Sequence, residues 1–257
     1  MALRETSLRP PPPWLIRWEI LAVFAVSLGA SALNAILHLI GSLLAPQPLA
    51  GQQALLVGSL AVNNWLDLTL QIASIAETLA PVFLVLYLMA RSGEPPSVIG
   101  LDGTEPVRDG VRGSVLAAVI GGAGLGLYLV AFHLGVSLNV VPESLPNVWW
   151  RDPILLLNAI QNGLLEETLV IGYLLLRLDQ LGWRPGTAIV VAALLRGSYH
   201  LYQGLGGFTG NFVMGLIFGV LYRRWGRIMP MVIAHSLIDA VTFIGYAYLH
   251  GKVSWLP

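Results

Sequence analysis

The chain has 257 residues, of which 56% are hydrophobic and 11% charged, against about 25% charged in ordinary soluble domains, and its mean hydropathy of +0.73 sets it among membrane proteins. The net charge is zero, so bulk electrostatics give no reason for a nucleic-acid partner. There is no cysteine, which excludes disulfides and thiolate metal sites.

The N-terminus, "MALRETSLRPPPPW", does not read as a cleavable signal peptide, because the apolar run starts late and continues too long. Residues 1–18 are expected to be a cytoplasmic lead-in, with Pro10 to Pro13 forming a stiff extended approach to the first helix. A membrane crossing needs about 20 mainly apolar residues. Segments 19–44, 66–90, 113–138, 153–176, 187–204, 207–222 and 228–249 come close to that. The short apolar stretch 49–62 is either an interfacial helix or part of an eighth span. The expected fold is therefore all-α and polytopic, with seven transmembrane helices or eight. Residues 19–150 form its N-terminal part, 151–250 its core and 251–257 a tail.

The charges orient these spans. With the N-terminus in the cytoplasm, Arg4, Arg9, Arg17, Arg91, Arg108, Arg112, Arg177, Arg184, Arg223, Arg224 and Arg227 share one side, while Arg151 and Lys252 fall on the other. That is a strong positive-inside bias, and it predicts a multi-pass protein of the plasma membrane. The tryptophans, such as Trp65, Trp149 and Trp225, fall at segment ends, where an aromatic belt belongs. "GGAGLG", Gly121 to Gly126, lies inside a span and is read as close helix packing, as are the GxxxG pairs Gly206/Gly210 and Gly215/Gly219.

Ionisable residues inside spans are functional candidates. Glu19, Asp67 and His133 are near helix ends and are expected at the interface; His38 reads as a packing residue; Glu77 is well inside its span. The later segments carry more. Asn158, Asn162 and Glu166 recur every four residues, and Glu167 adjoins Glu166. Arg196 and His200 are four apart, as are His235 and Asp239, and Asn211 is polar on the helix between them. A carboxylate in an apolar site suits general-base activation of water, and nearby histidines suit an oxyanion. Glu with two His is also a zinc-binding type, although the local HExxH spacing is absent. A structural polar network or a transporter's ion site would use the same residues.

"EETLVIGYLL", "RGSYH" and "HSLID" together resemble the CPBP family of intramembrane proteases, which includes the CAAX prenyl proteases and the bacteriocin-processing or immunity proteins. That family carries Glu-Glu-x-x-x-Arg, Phe-x-x-x-His and His-x-x-x-Asn or His-x-x-x-Asp on successive membrane helices. The resemblance spans roughly 158–246. It implies that Glu166 activates the attacking water, Glu167 assists, His200 positions water or substrate, and His235 with Asp239 stabilises the oxyanion; the polar residues Asn162 and Asn211, read from the helix faces, are expected to support them. It also implies a membrane-associated peptide or protein as substrate. Family members are often labelled metalloproteases, yet a metal-free mechanism is also argued for them. A zinc ion, where held, would take Glu166, His200 and His235; the metal-free route already gives all four acids and histidines a role. The chain departs from the pattern twice: Ile171 stands at the motif Arg, and Arg196 at the motif Phe. Arg196 is expected to replace the missing cation across the helix interface by pairing with Glu167. The alternatives to a protease are a silent family member acting as an immunity or scaffold protein, and a small transporter. The three motifs also sit at unequal distances from their helix ends: about 10 Å for His235 and about 21 Å for His200.

Overall fold

In lipid every backbone polar group must find its partner within the protein, which favours helices, and the computed structural model, which describes residues 11–254, consists mainly of them. Arg4, Arg9 and Trp255 lie outside the described residues. Helix α1 (Pro13–Ala25) starts from an extended Pro12, with proline at its first helical position. It bends by 50° into α2 (Leu28–Leu44). The break is at Ser27, whose hydroxyl donates back to Val23 O at 2.6 Å and whose backbone leaves the helical region. The side chain of Asn63 caps α3 (Asn64–Arg91) by accepting from the Trp65 and Leu66 amides. Then come α4 (Pro106–His133) and α5 (Arg151–Glu166). The latter continues through a π-helical segment, Glu167–Leu174, into α6 (Leu175–Gln180). Three helices complete the chain: α7 (Pro185–Tyr199), α8 (Leu205–Trp225) and α9 (Met229–Leu249).

Five helical units are long and apolar enough to cross a membrane, and the bent α1–α2 pair makes a sixth. The chain is a multi-pass, helical membrane protein. The expected segment 187–204 is shorter than read: α7 has 15 residues, and a 3-10 turn, Leu201–Gln203, follows it. The stretch 49–62 is neither an interfacial helix nor a span. It makes a 3-10 turn and then β1 (Gln53–Val57), which pairs in parallel with β2 (Asn139–Glu143). The partner strand, its paired residues 86 positions away in sequence, satisfies its backbone; no local signal announces such a pairing.

The helices form a ring around the π segment. Going round it, α2 packs on α7, α7 on α8, α8 on α4, α4 on α9, α9 on α5 and α5 on α3. Between α2 and α3 the ring is open, since these two scarcely touch. Leu169, Val170, Ile171 and Tyr173 of the central segment, and Leu175 that follows it, are fully buried. Small residues bring the ring together as the GxxxG spacing suggests: Gly215 and Gly219 lie on Ala193 and Ile189 of α7, and Gly206 and Gly210 on Ala131 and Leu127 of α4. The glycine run of α4 does otherwise. Gly121 touches Ile238, but Gly122, Gly124 and Gly126 face open space, so the run is not a packing motif.

At the end where α1 starts, ion pairs fasten the ring. Arg177, one of the arginines placed on the N-terminal side, is fully buried. It donates to Glu19 at 2.7 Å and also to Glu94, while Tyr173 bonds the same Glu19 at 2.8 Å. Glu19 is thus a structural partner of Arg177 and Tyr173. Arg227 is held by Asp109 at 2.7 Å and Asp102 at 3.0 Å. Hydrogen bonds from Thr104, then Arg227, hold the Asp102 carboxyl down at about 2. Asp67 is likewise buried, accepting from Leu60 N and the Gln71 amide, while His38 is exposed and does not pack as expected.

Helices α5 and α9 approach closely at Gly163. A Cβ on Gly163 would lie 2.4 Å from Ser236 Oγ and 2.8 Å from Val232 O. Gly163→Ala should therefore force these helices apart and cost about 1–3 kcal/mol. The check is thermal unfolding in detergent, and an unchanged midpoint would show that the contact yields freely.

Candidate active site

Glu166 is the last α-helical residue of its unit, and Glu167 the first of the π segment. Successive side chains of an α-helix point about 100° apart. The π-helix, bonded i to i+5, winds more slowly, so two adjacent carboxylates address one interior. Both are buried, Glu167 completely.

Arg196 reaches them from α7. Its Nη1 donates to Glu167 Oε1 at 2.7 Å, and its Nη2 lies 3.3 Å from Glu166 Oε2. The cation missing at Ile171 is thus supplied from the neighbouring helix, while Ile171 itself is apolar core. The expected pairing with Glu167 forms, and the guanidinium also reaches Glu166, so that it spans both acids. The Phe218 ring of α8 lies against it, its centroid 5.4 Å from the guanidinium carbon.

The histidines sit at opposite ends of this group. His200 follows α7 directly, and its Nδ1 donates to Arg196 O at 3.0 Å, which leaves the Nε2 lone pair facing Glu166 Oε1 at 3.9 Å. His235 donates from Nδ1 to Glu167 Oε1 at 2.8 Å, with Arg196 Nη2 3.1 Å away. Its Nε2 is 3.7 Å from Asp239 Oδ2, which also accepts from the Asn162 amide at 2.9 Å. The unequal depths read from the sequence are accommodated here: His200 meets Glu166, His235 meets Glu167, and the long Arg196 side chain bridges them.

Glu166, Glu167, Arg196, His200, His235, Asp239 and Asn162 therefore come together. Asn211 does not join them; its amide donates to Gly207 O of its own helix at 3.1 Å. Tyr199 was missed. Its hydroxyl donates to Glu166 Oε2 at 2.7 Å from a buried position. The signal was present in "RGSYH", where Tyr199 follows Arg196 by three residues and so lies on nearly the same helix face.

The zinc alternative is not supported by this geometry. Among the described residues no three His, Asp or Glu side chains converge as a metal site, Glu166, His200 and His235 included. Between the two glutamates the positive group is Arg196.

Comparison with known families gives a match over residues 147–241 to the family described as type II CAAX prenyl endopeptidase Rce1-like. That segment runs from the approach to α5 into α9 and contains all three motifs. Neither the curated proteins nor the solved structures gave a match. Over residues 147–241 the chain is thus similar to the Rce1-like family, in keeping with its resemblance to the CPBP proteases.

Proposed function

We propose that the chain is an intramembrane endopeptidase that cleaves a membrane-associated peptide by water activated at Glu166, with no metal in the reaction. One observation carries this reading: Glu166 Oε1 faces the acceptor nitrogen of His200 across 3.9 Å, a separation that one water molecule bridges by donating to both. Such a water keeps a lone pair for attack on the substrate carbonyl carbon. As the carbon–oxygen bond forms, its proton passes to Glu166. His235, protonated at Nε2 and held through Nδ1 by Glu167, donates to the oxyanion. Protonated Glu166 then gives its proton to the leaving nitrogen as the peptide bond breaks.

The remaining residues hold this arrangement. Tyr199 fixes Glu166 Oε2, which leaves Oε1 to act as base. Asn162 orients Asp239 beside His235. Arg196 offsets the two carboxylates. The same reading takes α7 as a seventh crossing, places the N-terminus in the cytoplasm in keeping with the arginine distribution, and puts the protein in the plasma membrane.

The test is cleavage of a peptide library by detergent-purified protein, with and without chelator. Wild-type cleavage should survive thorough chelation, and Glu166→Gln should lower kcat by at least about 100-fold. Retained cleavage in that variant would overturn the general-base role, and loss of wild-type cleavage on chelation would overturn the metal-free route. Tyr199→Phe should lower kcat by roughly 10-fold, the equivalent of losing one hydrogen bond to a charged group, with KM unchanged. A change in KM alone would mean that Tyr199 contacts substrate instead.

A further inference from the structure

The proposed reaction gives its oxyanion one donor, His235 Nε2, and that nitrogen already has Asp239 Oδ2 3.7 Å away. A developing negative oxygen is held best by fixed donors whose protons are not spent elsewhere. The polar groups around the two histidines are largely committed. The Asn162 amide donates to Asp239, and the Tyr199 hydroxyl to Glu166. The Arg196 guanidinium serves the two acids and is fully buried. His200 donates through Nδ1 to Arg196 O, and its Nε2 is an acceptor.

Tyr202 differs from these. It follows His200 by two residues, in the 3-10 turn Leu201–Gln203. Its ring stacks on the His200 imidazole, with centroids 6.4 Å apart and planes at 23°. The Tyr199 ring lies 4.8 Å from the same imidazole. Of these two neighbours of His200, Tyr199 gives its proton to Glu166, whereas Tyr202 gives its proton to no described residue. The Tyr202 oxygen accepts from Gln203 Nε2 at 2.9 Å, so its O–H remains to donate. The side chain is half-buried, unlike the enclosed Arg196, so a substrate can reach it. Glu166 and Asp239 are both near enough for their charges to act on this hydroxyl. The unspent proton is therefore within reach of both halves of the site, the acid that activates water and the pair that holds the oxyanion.

The turn that carries Tyr202 is fixed from outside. Gly204 adopts a φ of +94°, and a Cβ there would lie 2.9 Å from Ser137 Cα. Leu138 N donates to Gln203 O and Leu205 N to Val136 O, each at 3.1 Å. Residues 136–138, which follow α4, thus clamp the turn on both sides of Gly204, and Gln203 holds the phenol oxygen. A donor fixed before the reaction needs no reorganisation as charge develops.

We propose that Tyr202 is a further catalytic residue, the second oxyanion donor beside His235. This rests on the protease reading. As the water oxygen bonds to the carbonyl carbon, the C=O π pair moves onto the carbonyl oxygen. The Tyr202 O–H hydrogen-bonds that oxygen and keeps its proton. When the peptide bond breaks, the pair returns to re-form C=O and the contact weakens.

The test is Tyr202→Phe in the full-length protein, which removes the hydroxyl and keeps the ring beside His200. On a library peptide that the wild type cleaves, kcat should fall about 100-fold with KM unchanged. The same peptide with a phosphinate in place of the scissile amide mimics the tetrahedral oxyanion. It should bind the Tyr202→Phe protein about 100-fold more weakly than the wild type. The amide peptide, bound to Glu166→Gln protein to prevent turnover, should bind equally well when Tyr202→Phe is added. Unimpaired kcat, or undiminished phosphinate binding, overturns the role. Equal weakening of amide and phosphinate binding makes Tyr202 a ground-state or packing contact and overturns it too. Absence of cleavage by the wild type rejects the protease reading, and the oxyanion role with it; wild-type cleavage that Tyr202→Phe leaves intact rejects the role alone.

Discussion

The arrangement depends on one guanidinium. Arg196 is fully buried, and so is Glu167; Glu166 is nearly so. Two carboxylates on adjacent residues in an apolar interior repel each other and lose their hydration. An unpaired arginine at that depth would fare as badly. Placed between the acids, the cation offsets both, and its reach to His235 joins α7 to α9 as well as to the π segment. The chemistry proposed for Glu166 presupposes this pairing, since it keeps one carboxylate as a fixed support and leaves the other an oxygen directed at His200.

Three local features bring the charges within reach. The π segment turns Glu166 and Glu167 toward the same interior. Gly163 lets α9 approach closely enough for Asn162 to bond Asp239 and for His235 to bond Glu167. A Cβ on Gly215 would lie 3.0 Å from Ala193 Cα and 3.3 Å from Arg196 Cδ, so its absence lets α8 pack closely against Arg196. Packing and electrostatics are coupled here: helix separations set by missing side chains determine whether hydrogen bonds form.

Much of this was legible in the residues. Ionisable groups are costly in a membrane, so Glu166, Glu167, Arg196, His200, His235 and Asp239 stood out against an apolar background, and four-residue spacing placed them on shared faces. The relocated cation could be read because Ile171 and Arg196 depart from one pattern in compensating ways. Other features were not legible. Tyr199 resembles a belt or core aromatic unless its hydroxyl's partner is known. The β1–β2 pair forms between segments far apart in sequence. The kink at Ser27, the burial of Arg177 and the π winding all follow from tertiary neighbours that hydropathy does not report. Asn211 showed the converse failure: a polar residue in a span that simply bonds its own helix.

The most direct measurement is a double-mutant cycle on the central pair, read by equilibrium unfolding in detergent. Arg196→Leu should cost about 3–5 kcal/mol, because it leaves buried carboxylates without their cation. Adding Glu167→Gln should recover part of that loss, so that the double variant is more stable than the two single losses sum to, with a coupling of about 1–3 kcal/mol. Strictly additive losses, or an Arg196→Leu protein as stable as wild type, would contradict the claim that this ion pair holds the site together.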